Sequence, residues 1–319
     1  MRQAEQAARA KADVEMEDAE LAQREPPSKK NMKLVAIKKQ LKPQRPENGI
    51  EFTLIREIKI LQEMDHPNIV KMLDVFQLKG LLYFALEFCP VDLGELVRSH
   101  QSIILQPEHI KCIMQQIMSG LSYMHSNFVM HRDLHTSNIL VRADGCIKII
   151  DFNSSMVYGS PNRAHSQQTT TLNYRSPELL LNACYYGPPT DIWSAGCIFA
   201  ELFLRERLFT NPFGTQVEQL SRIFSLRGTI TNENWPEARS LPDFIEFSKC
   251  PPRDFKKVFP MMSPNAVDLL DKMLQLDPNM RPTAAEALRH PYFTSEDPPP
   301  CQPSELPIRT LLDKQIKQE

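Results

Sequence analysis

The sequence predicts an α+β fold in which a small strand-rich part precedes a larger helical part. Short apolar runs bounded by turn signals are concentrated before residue 88, whereas apolar residues after it recur mostly at helical spacing. With 319 residues and 42% hydrophobic side chains, the chain is long enough to bury a substantial core. We therefore expect two lobes with a cleft near residues 86–92.

The predicted elements follow one another from residue 34. The first lobe is predicted to contain a strand at 34–38, a helix at 50–64 and a hairpin at 70–78 and 81–88. The second is predicted to contain helices at 93–99, 107–127, 190–204, 214–227, 264–275 and 282–289, interrupted by a hairpin with Asp144-Gly145 at its turn. The resulting division is a charged, Ala-rich extension (1–33), a truncated first lobe (34–88), a helical lobe (89–293) and a proline-rich tail (294–319), which we expect to be peripheral.

Composition excludes several classes of protein. The 37 basic and 39 acidic side chains give a net charge of −2, which argues against a direct nucleic-acid partner. We expect neither a membrane span nor a signal peptide, since no apolar run is long enough and the N-terminus is charged. The seven cysteines include no CxxC pair, so we expect reduced thiols in the nucleus or cytoplasm.

The motifs that carry chemistry occur in a fixed order. They are Val-Ala-Ile-Lys at 35–38, Arg56-Glu57, His-Arg-Asp-Leu-His-Thr-Ser-Asn at 131–138, and Asp-Phe-Asn at 151–153. Each is common alone, but the ordered set is a strong signal. It resembles the eukaryotic protein kinases, and in particular the cyclin-dependent kinases. Further matches to that family are Ser-Pro-Glu at 176–178, Asp-Ile-Trp-Ser-Ala-Gly at 191–196 and Arg281, which usually pairs with that Glu.

The resemblance covers about residues 34–308 and points to one branch of the family. Residues 159–165 are similar to the cyclin-dependent-kinase-activating kinase, and residues 298–308 to the end of the cell-cycle-related kinase domain. The implied fold is a bilobal protein kinase with a truncated β-rich N-lobe and a helical C-lobe. The implied activity is Mg²⁺-dependent transfer of the ATP γ-phosphate to protein Ser/Thr. The resemblance also implies a cyclin-like subunit bound through the helix at 50–64.

Each catalytic position has a residue type suited to phosphoryl transfer, which depends on positioning and on neutralising phosphate charge. Lys38 would bind the α- and β-phosphates, and Glu57 would orient Lys38. Asn138 and Asp151 offer oxygen ligands of the kind that Mg²⁺ prefers. Asp133 would accept the proton of the substrate hydroxyl.

The resemblance also assigns an adenine pocket and a phosphorylation site. The pocket residues are Ala36, Leu86, Glu87, Cys89, Asp92 and Leu140. Ser166 stands where activating kinases carry a phosphorylated Thr, with Thr169, Thr170 and Thr171 as competitors. Arg56 and Arg132 would bind the phosphate through their forked donors. The family's third basic residue is replaced by Met156, which predicts weaker anchoring.

Three departures from the family pattern bear on activity. The chain has ten glycines, the first at Gly49, so the glycine-rich loop that covers the phosphates is missing. His135 replaces a Lys that touches the γ-phosphate, and imidazole is mostly neutral at pH 7, so we expect reduced but not abolished transfer. Asn153 replaces the Gly after Asp-Phe, and Asn tolerates left-handed backbone angles best among the substitutes.

Three interpretations follow from these features. The first is an active Ser/Thr kinase with Asp133 as base. The second is a catalytically weak, pseudokinase-like scaffold that binds a cyclin-like partner. The third is an ordinary kinase whose sequence has an incorrect start or exon, which would account for the missing loop.

Overall fold

The first part of the molecule is a small sheet with one helix. The structure, a computed structural model, describes residues 34–39, 52–79, 81–159 and 170–316. The elements of this part are strands β1 (Val35–Lys39), β2 (Met72–Leu78) and β3 (Leu81–Glu87) and helix α1 (Phe52–Glu63). Within the described residues the strands lie in the order β1–β3–β2, and β2 is antiparallel to β3. The predicted hairpin is therefore formed, with Gly80 of its turn outside the described residues.

The chain after β3 is mainly helical. The helices of its described residues are α2 (Leu93–Arg98), α3 (Pro107–Ser126), α4 (Pro177–Leu180), α5 (Pro189–Leu204), α6 (Gln216–Arg227), α7 (Phe255–Val258), α8 (Pro264–Met273), α9 (Ala284–Leu288), α10 (Pro291–Thr294) and α11 (Arg309–Ile316). Its short strands are β4 (Val91–Asp92), β5 (Val129–Met130), β6 (Ile139–Val141), β7 (Ile147–Ile149) and β8 (Met156–Val157). Among these residues β4, β6 and β7 form a second sheet, and β5 pairs with β8. The predicted hairpin around Asp144-Gly145 corresponds to β6 and β7.

Helix α5 lies at the centre of the helical part. Its residues are buried from Thr190 to Leu202, so the helix has no polar face toward solvent there. A helix that is buried all round belongs to the core of a large domain. Helix α3 packs against it and contributes a row of buried apolar residues that includes Ile113, Ile117 and Leu121. This core supports the loop that follows β5.

The two sheets are joined by a short backbone contact. Ile69 forms a parallel bridge with Ile149, in which Val70 N donates to Ile149 O at 3.0 Å and Ile149 N donates to Asn68 O at 2.9 Å. Ile149 ends β7 and precedes Asp151 by two residues. The bridge therefore holds the backbone just before Asp151 against the chain that enters β2.

The helix boundaries differ from the predicted ones for local reasons. The helix predicted at 282–289 begins only at Ala284, because the side chains of Thr283 and Glu286 form a capping box. The helix predicted at 264–275 begins at Pro264 as predicted, with Ser263 Oγ accepting from Ala266 N, but it ends at Met273. Helices α4, α7 and α10 have four residues each and were not predicted, since so short a segment shows no helical period.

The tail is not peripheral as predicted. Its apolar residues Leu306, Ile308 and Leu311 are buried in the core. At Gly145, where φ is +80°, a Cβ atom would lie 1.6 Å from Pro303 O, so the turn between β6 and β7 needs glycine to let the tail pass. The proline-rich composition did not reveal these contacts. The apolar residues follow the proline run, and they become buried only when they pack on the folded helical part.

Candidate active site

A lysine and two carboxylates meet between the first sheet and the loop after β7. Lys38 Nζ on β1 donates to Glu57 Oε1 of α1 at 2.7 Å and to Asp151 Oδ1 at 2.8 Å. The Glu57 side chain is only 3% exposed, whereas those of Lys38 and Asp151 are 37% and 38% exposed. A buried carboxylate needs such a partner, so Glu57 anchors the lysine from the protein side while Asp151 faces the cleft.

The charges of this group stabilise one another. Burial opposes the charged form of Lys38, but Glu57 and Asp151 outweigh it and raise its pKa above the ordinary value. Burial likewise opposes ionisation of Asp151, but the hydrogen bond and charge of Lys38 lower the pKa of Asp151. At neutral pH the group therefore holds an ammonium ion and an ionised Asp151.

Helix α1 places Glu57 by its pattern of side chains. Leu54, Glu57 and Leu61 are buried on one face, at spacings of three and four residues. Phe52 and Ile55 are 66% and 50% exposed. The helix thus turns Glu57 toward Lys38 and leaves an apolar pair on its outer side.

Asp151 is held in an unusual backbone conformation. Its φ is +64°, in the left-handed region, where Asp is one of the better tolerated residues. The following Phe152 is fully buried and meets the His131 ring edge-on, with centroids 5.4 Å apart. Asn153 lies in a short 3₁₀ turn, so the left-handed residue of this motif is Asp151 and not the position where Asn replaces Gly.

The catalytic loop, residues 131–138, is fastened to α5 by Asp191. The Asp191 carboxylate accepts from His131 N and Arg132 N, each at 2.8 Å, and bonds His125 Nε2 at 2.9 Å. Burial opposes its charge, but these bonds keep its pKa below the ordinary value. Asp191 thereby holds Arg132 at a φ of +69°. Sequence reasoning noted Asp191 only as part of a family motif, although a carboxylate before an apolar helical run was a signal for a buried polar partner.

The two carboxylate oxygens of Asp133 have different neighbours. Oδ1 accepts from both the backbone N and the Oγ1 of Thr171, each at 2.8 Å. Oδ2 lies 3.9 Å from His135 Nε2. The sequence suggested Thr171 only as a competing phosphorylation site, and the structure instead places its hydroxyl on Asp133. This contact links the segment before α4 to the loop.

His135 is mostly buried and neutral. Burial lowers its pKa below the ordinary value, with Asp133 and Asp151 acting in the opposite direction and His131 and Arg207 reinforcing the shift. The ring nitrogen nearest Asp133 is therefore uncharged at pH 7 in this conformation. The site lacks the fixed cation that a lysine at this position would supply.

Oxygen donors suited to Mg²⁺ lie beside this loop. Asn138 Nδ2 donates to Asp133 O at 2.9 Å, which turns its amide oxygen the other way. Asp151 uses Oδ1 for Lys38, and its side chain is 38% exposed. No group of three or more His, Cys, Asp or Glu side chains among the described residues could hold a metal ion. The amide oxygen of Asn138 and the carboxylate of Asp151 are nevertheless of the ligand types that Mg²⁺ prefers, and that ion keeps waters and phosphate oxygens among its other ligands.

The residues predicted to bind adenine lie on several strands. Ala36 is on β1, Leu86 and Glu87 are on β3, Cys89 follows β3, Asp92 is on β4 and Leu140 is on β6. Glu87 N donates to Lys71 O at 3.0 Å, and its carboxylate binds Lys148 Nζ at 2.7 Å. The backbone carbonyl is thus the group of Glu87 that could meet an adenine amino group. Burial, assisted by Glu87, raises the pKa of Cys89 to about 12, which keeps the thiol protonated.

Asp92 has a structural task that the sequence did not indicate. Its Oδ1 caps α2 by accepting from Glu95 N at 2.8 Å, and it lies 3.7 Å from Arg98. A ribose hydroxyl at this position would have to share the carboxylate with the helix cap. The predicted ribose contact stays a prediction.

The two predicted phosphate anchors converge on one turn. Arg56 Nη2 donates to Asn153 O at 3.4 Å, and Arg132 Nε donates to Ser154 O at 2.6 Å. Arg132 Nη1 also donates to the hydroxyl of Tyr186 at 2.7 Å. The predicted phosphorylation site, Ser166, lies outside the described residues. Met156 is buried in β8 opposite Met130, so it supplies no third cation.

Comparisons with known proteins agree with the resemblance that the motifs predicted. The family described as protein kinase domain matches residues 26–293. Cyclin-dependent kinase 7 of Dictyostelium discoideum is 44% identical over 278 residues, which cover 86% of this chain and 76% of that protein. Cyclin-dependent kinase D-1 of Arabidopsis thaliana is 39% identical, with shares of 87% and 69%. A chain of the CAK complex from Chaetomium thermophilum bound to ATP-γ-S is similar with a TM-score of 0.80 and 36% identity, over 85% of this chain and 86% of that one.

Proposed function

The chain belongs to the protein kinase family, as a cyclin-dependent kinase, and from this premise we propose that it phosphorylates Ser or Thr hydroxyls of other cyclin-dependent kinases. It is an ATP-dependent protein kinase, and the proposal concerns its substrates and partner. The observation that carries the proposal is the bonded group of Lys38, Glu57 and Asp151. These are the groups that kinases need in place for phosphoryl transfer.

In the proposed reaction Asp133 is the general base. The substrate hydroxyl donates its proton to Asp133 Oδ2 as its oxygen bonds to the γ-phosphorus and the bond from that phosphorus to the β–γ bridging oxygen breaks. Lys38 binds the α- and β-phosphates, and Glu57 keeps its ammonium group in place. Bound between Asn138 and Asp151, Mg²⁺ would neutralise phosphate charge. Thr171 donates two hydrogen bonds to Oδ1 of Asp133, which leaves Oδ2 as the oxygen that would take the proton.

A cyclin-like subunit is the proposed regulatory partner. The exposed pair Phe52 and Ile55 on α1 lies opposite the face that carries Glu57, so a partner bound there would press α1 toward Lys38. The similar Chaetomium thermophilum chain comes from a structure named as a complex. We further propose that the protein acts in cell-cycle control in the nucleus or cytoplasm. No helix in the described ranges is long and apolar enough to cross a membrane.

The test uses the full chain together with cyclins that activate its relatives. Mg·ATP should raise the melting temperature, and radiolabelled phosphate should pass to the activation segment of a cyclin-dependent kinase. The Asp133→Asn variant should bind Mg·ATP but transfer at a rate lower by about 10³-fold. Cyclin binding without nucleotide binding or Asp133-dependent transfer would support the scaffold interpretation and overturn this one.

A further inference from the structure

Beneath the catalytic loop lies a buried polar group that the reaction above does not use. Tyr174 donates its hydroxyl to Glu201 Oε2 at 2.6 Å, and Thr136 Oγ1 donates to Glu201 Oε1 at 3.3 Å. The two hydroxyl oxygens are themselves 3.3 Å apart. All three residues are buried, and we name them the Glu201 cluster. Polar groups at such depth are costly unless they are bonded to one another, as these are.

The Glu201 cluster reaches His135 by two routes. Thr136 is its neighbour in the chain, and the ring of Tyr174 lies beside the imidazole, with centroids 5.8 Å apart and planes inclined by 35°. The imidazole thus rests on a side chain whose far end is bonded to Glu201. The position of His135 therefore depends on a carboxylate that it does not touch.

Tyr174 is fastened to α5 at both ends. Its backbone oxygen accepts from Ser194 Oγ at 2.9 Å, while its hydroxyl binds Glu201. Burial, assisted by Glu201, raises the pKa of Tyr174 well above the ordinary value, so the hydroxyl keeps the proton that it donates. The ring beside His135 is consequently held against α5, whose residues are buried from Thr190 to Leu202.

Helix α5 therefore supports the catalytic loop at its beginning and near its end. Asp191, in the first turn of α5, bonds the backbone of His131 and Arg132. Glu201 lies about three turns further along the same helix and bonds Thr136. Because the two supports are separate side chains, a substitution of Glu201 alters the contacts near the end of the loop and leaves the bonds of Asp191 at its beginning in place.

We propose that Glu201 is a positioning residue for phosphoryl transfer, which acts through Tyr174 and Thr136 to hold the imidazole of His135 toward the γ-phosphate. The inference rests on the proposed function, in which His135 meets that phosphate. A neutral imidazole offers a single N–H donor on a short, rigid side chain. It cannot compensate for a misplaced loop as a long, flexible lysine can, and small misplacements of reacting groups reduce rates strongly.

The kinetic test is a double-mutant cycle in the full chain with its activating cyclin. Tyr174→Phe and Glu201→Gln should each lower kcat by about ten-fold, with the KM for ATP changed less than about two-fold. In a His135→Ala background, Tyr174→Phe should cause no further loss, because its effect passes through His135. Tyr292→Phe is the matched control, since this buried hydroxyl has no hydrogen-bond partner within the described residues.

A second readout does not require activity. The imidazole C–H resonance of His135, identified by its absence in His135→Ala, should shift and broaden in Tyr174→Phe and Glu201→Gln but not in Tyr292→Phe. Melting temperatures of all variants separate this effect from loss of fold.

The outcomes distinguish the inference from the proposed function. An equal loss of kcat for Tyr174→Phe in the parent and in the His135→Ala background, with an unmoved imidazole resonance, would overturn the inference. The imidazole resonance could shift in Tyr174→Phe and Glu201→Gln while the parent protein shows no Asp133-dependent transfer. That result would support the positioning of His135 by Glu201 and reject the proposed function.

Discussion

Arg281 binds the carboxylate of Glu178 through both terminal nitrogens, at 2.7 and 2.8 Å, although the two residues are 103 positions apart. Their side chains are 0% and 4% exposed. Burial opposes ionisation of Glu178, but Arg281 keeps its pKa below the ordinary value. The pair ties α4 to the chain after α8.

Arg281→Leu should lower the free energy of unfolding by about 3–5 kcal/mol, because it leaves Glu178 buried without a countercharge. The measurement is urea unfolding followed by tryptophan fluorescence. The matched control is Arg239→Leu, which breaks the pair with Glu246 at 3.2 Å, where the side chains are 62% and 76% exposed. That change should cost less than about 1 kcal/mol. Similar losses in both variants would contradict the assigned role of the Arg281–Glu178 pair.

The same pair predicts the direction of a pH effect. The pKa of Glu178 is lower in the folded protein than the ordinary value of 4.5, so the folded state binds fewer protons there than the unfolded chain. Its contribution to stability is therefore present above about pH 4.5 and lost as the pH falls through the folded pKa. The difference in unfolding free energy between the parent and Arg281→Leu should shrink over that range.

His135→Lys should raise turnover and change its pH dependence. The pKa of His135 lies below its ordinary 6.5, so the imidazole is neutral at pH 7 and becomes a cation only as the pH falls through that lower value. The kcat of the parent should rise as the pH falls toward 6, whereas the kcat of the lysine variant should not change between pH 6 and 8. At pH 7.5 we expect a gain of about ten-fold in kcat. Equal turnover of the two proteins would count against a role for charge at this position.

Lys38→Met should lower turnover by about a hundred-fold or more, because the variant keeps the length of the side chain and removes the ammonium group. The control is Lys256→Met, an exposed change on α7. Initial rates of phosphate transfer with saturating Mg·ATP measure both. A Lys38→Met enzyme with nearly normal kcat would show that Lys38 has no role in the reaction.

Lys111→Met should loosen the tail. Lys111 is buried in α3, and its Nζ donates to Glu296 O at 2.8 Å and to Pro298 O at 2.6 Å. Removing it leaves these carbonyls without that donor, which should cost about 1–3 kcal/mol and speed proteolysis within residues 294–306. Lys257→Met, an exposed change on α7, should alter neither. Unchanged cleavage of the tail in the Lys111 variant would argue that the apolar contacts alone hold it.

The local sequence pattern was sufficient to predict most of the longer helices and strands. It was not sufficient to predict where each of them ends or which distant residues come into contact. The helix at 190–204 and the hairpin at 70–88 were predicted closely, since long periodic runs specify their own structure. The tail was mispredicted, because Leu306 and Ile308 are buried only by surfaces that belong to α3 and its neighbours. The contacts of Thr171 and Glu201 were missed for the same reason, since each bonds a residue far away in the chain.

The sequence by itself determined the chemistry and the family. Lys38, Asp133, Asn138 and Asp151 stand in motifs whose order is typical of kinases, and phosphoryl transfer requires those cations and oxygens. Only the tertiary structure decided which groups meet. Lys38 and Asp151 are 113 residues apart, and they meet only in the folded molecule, where the parallel bridge of Ile69 and Ile149 also joins the chain before β2 to the strand that precedes Asp151. Motif spacing describes local backbone geometry, whereas the partners of a buried charge are set by the packing of the core around it.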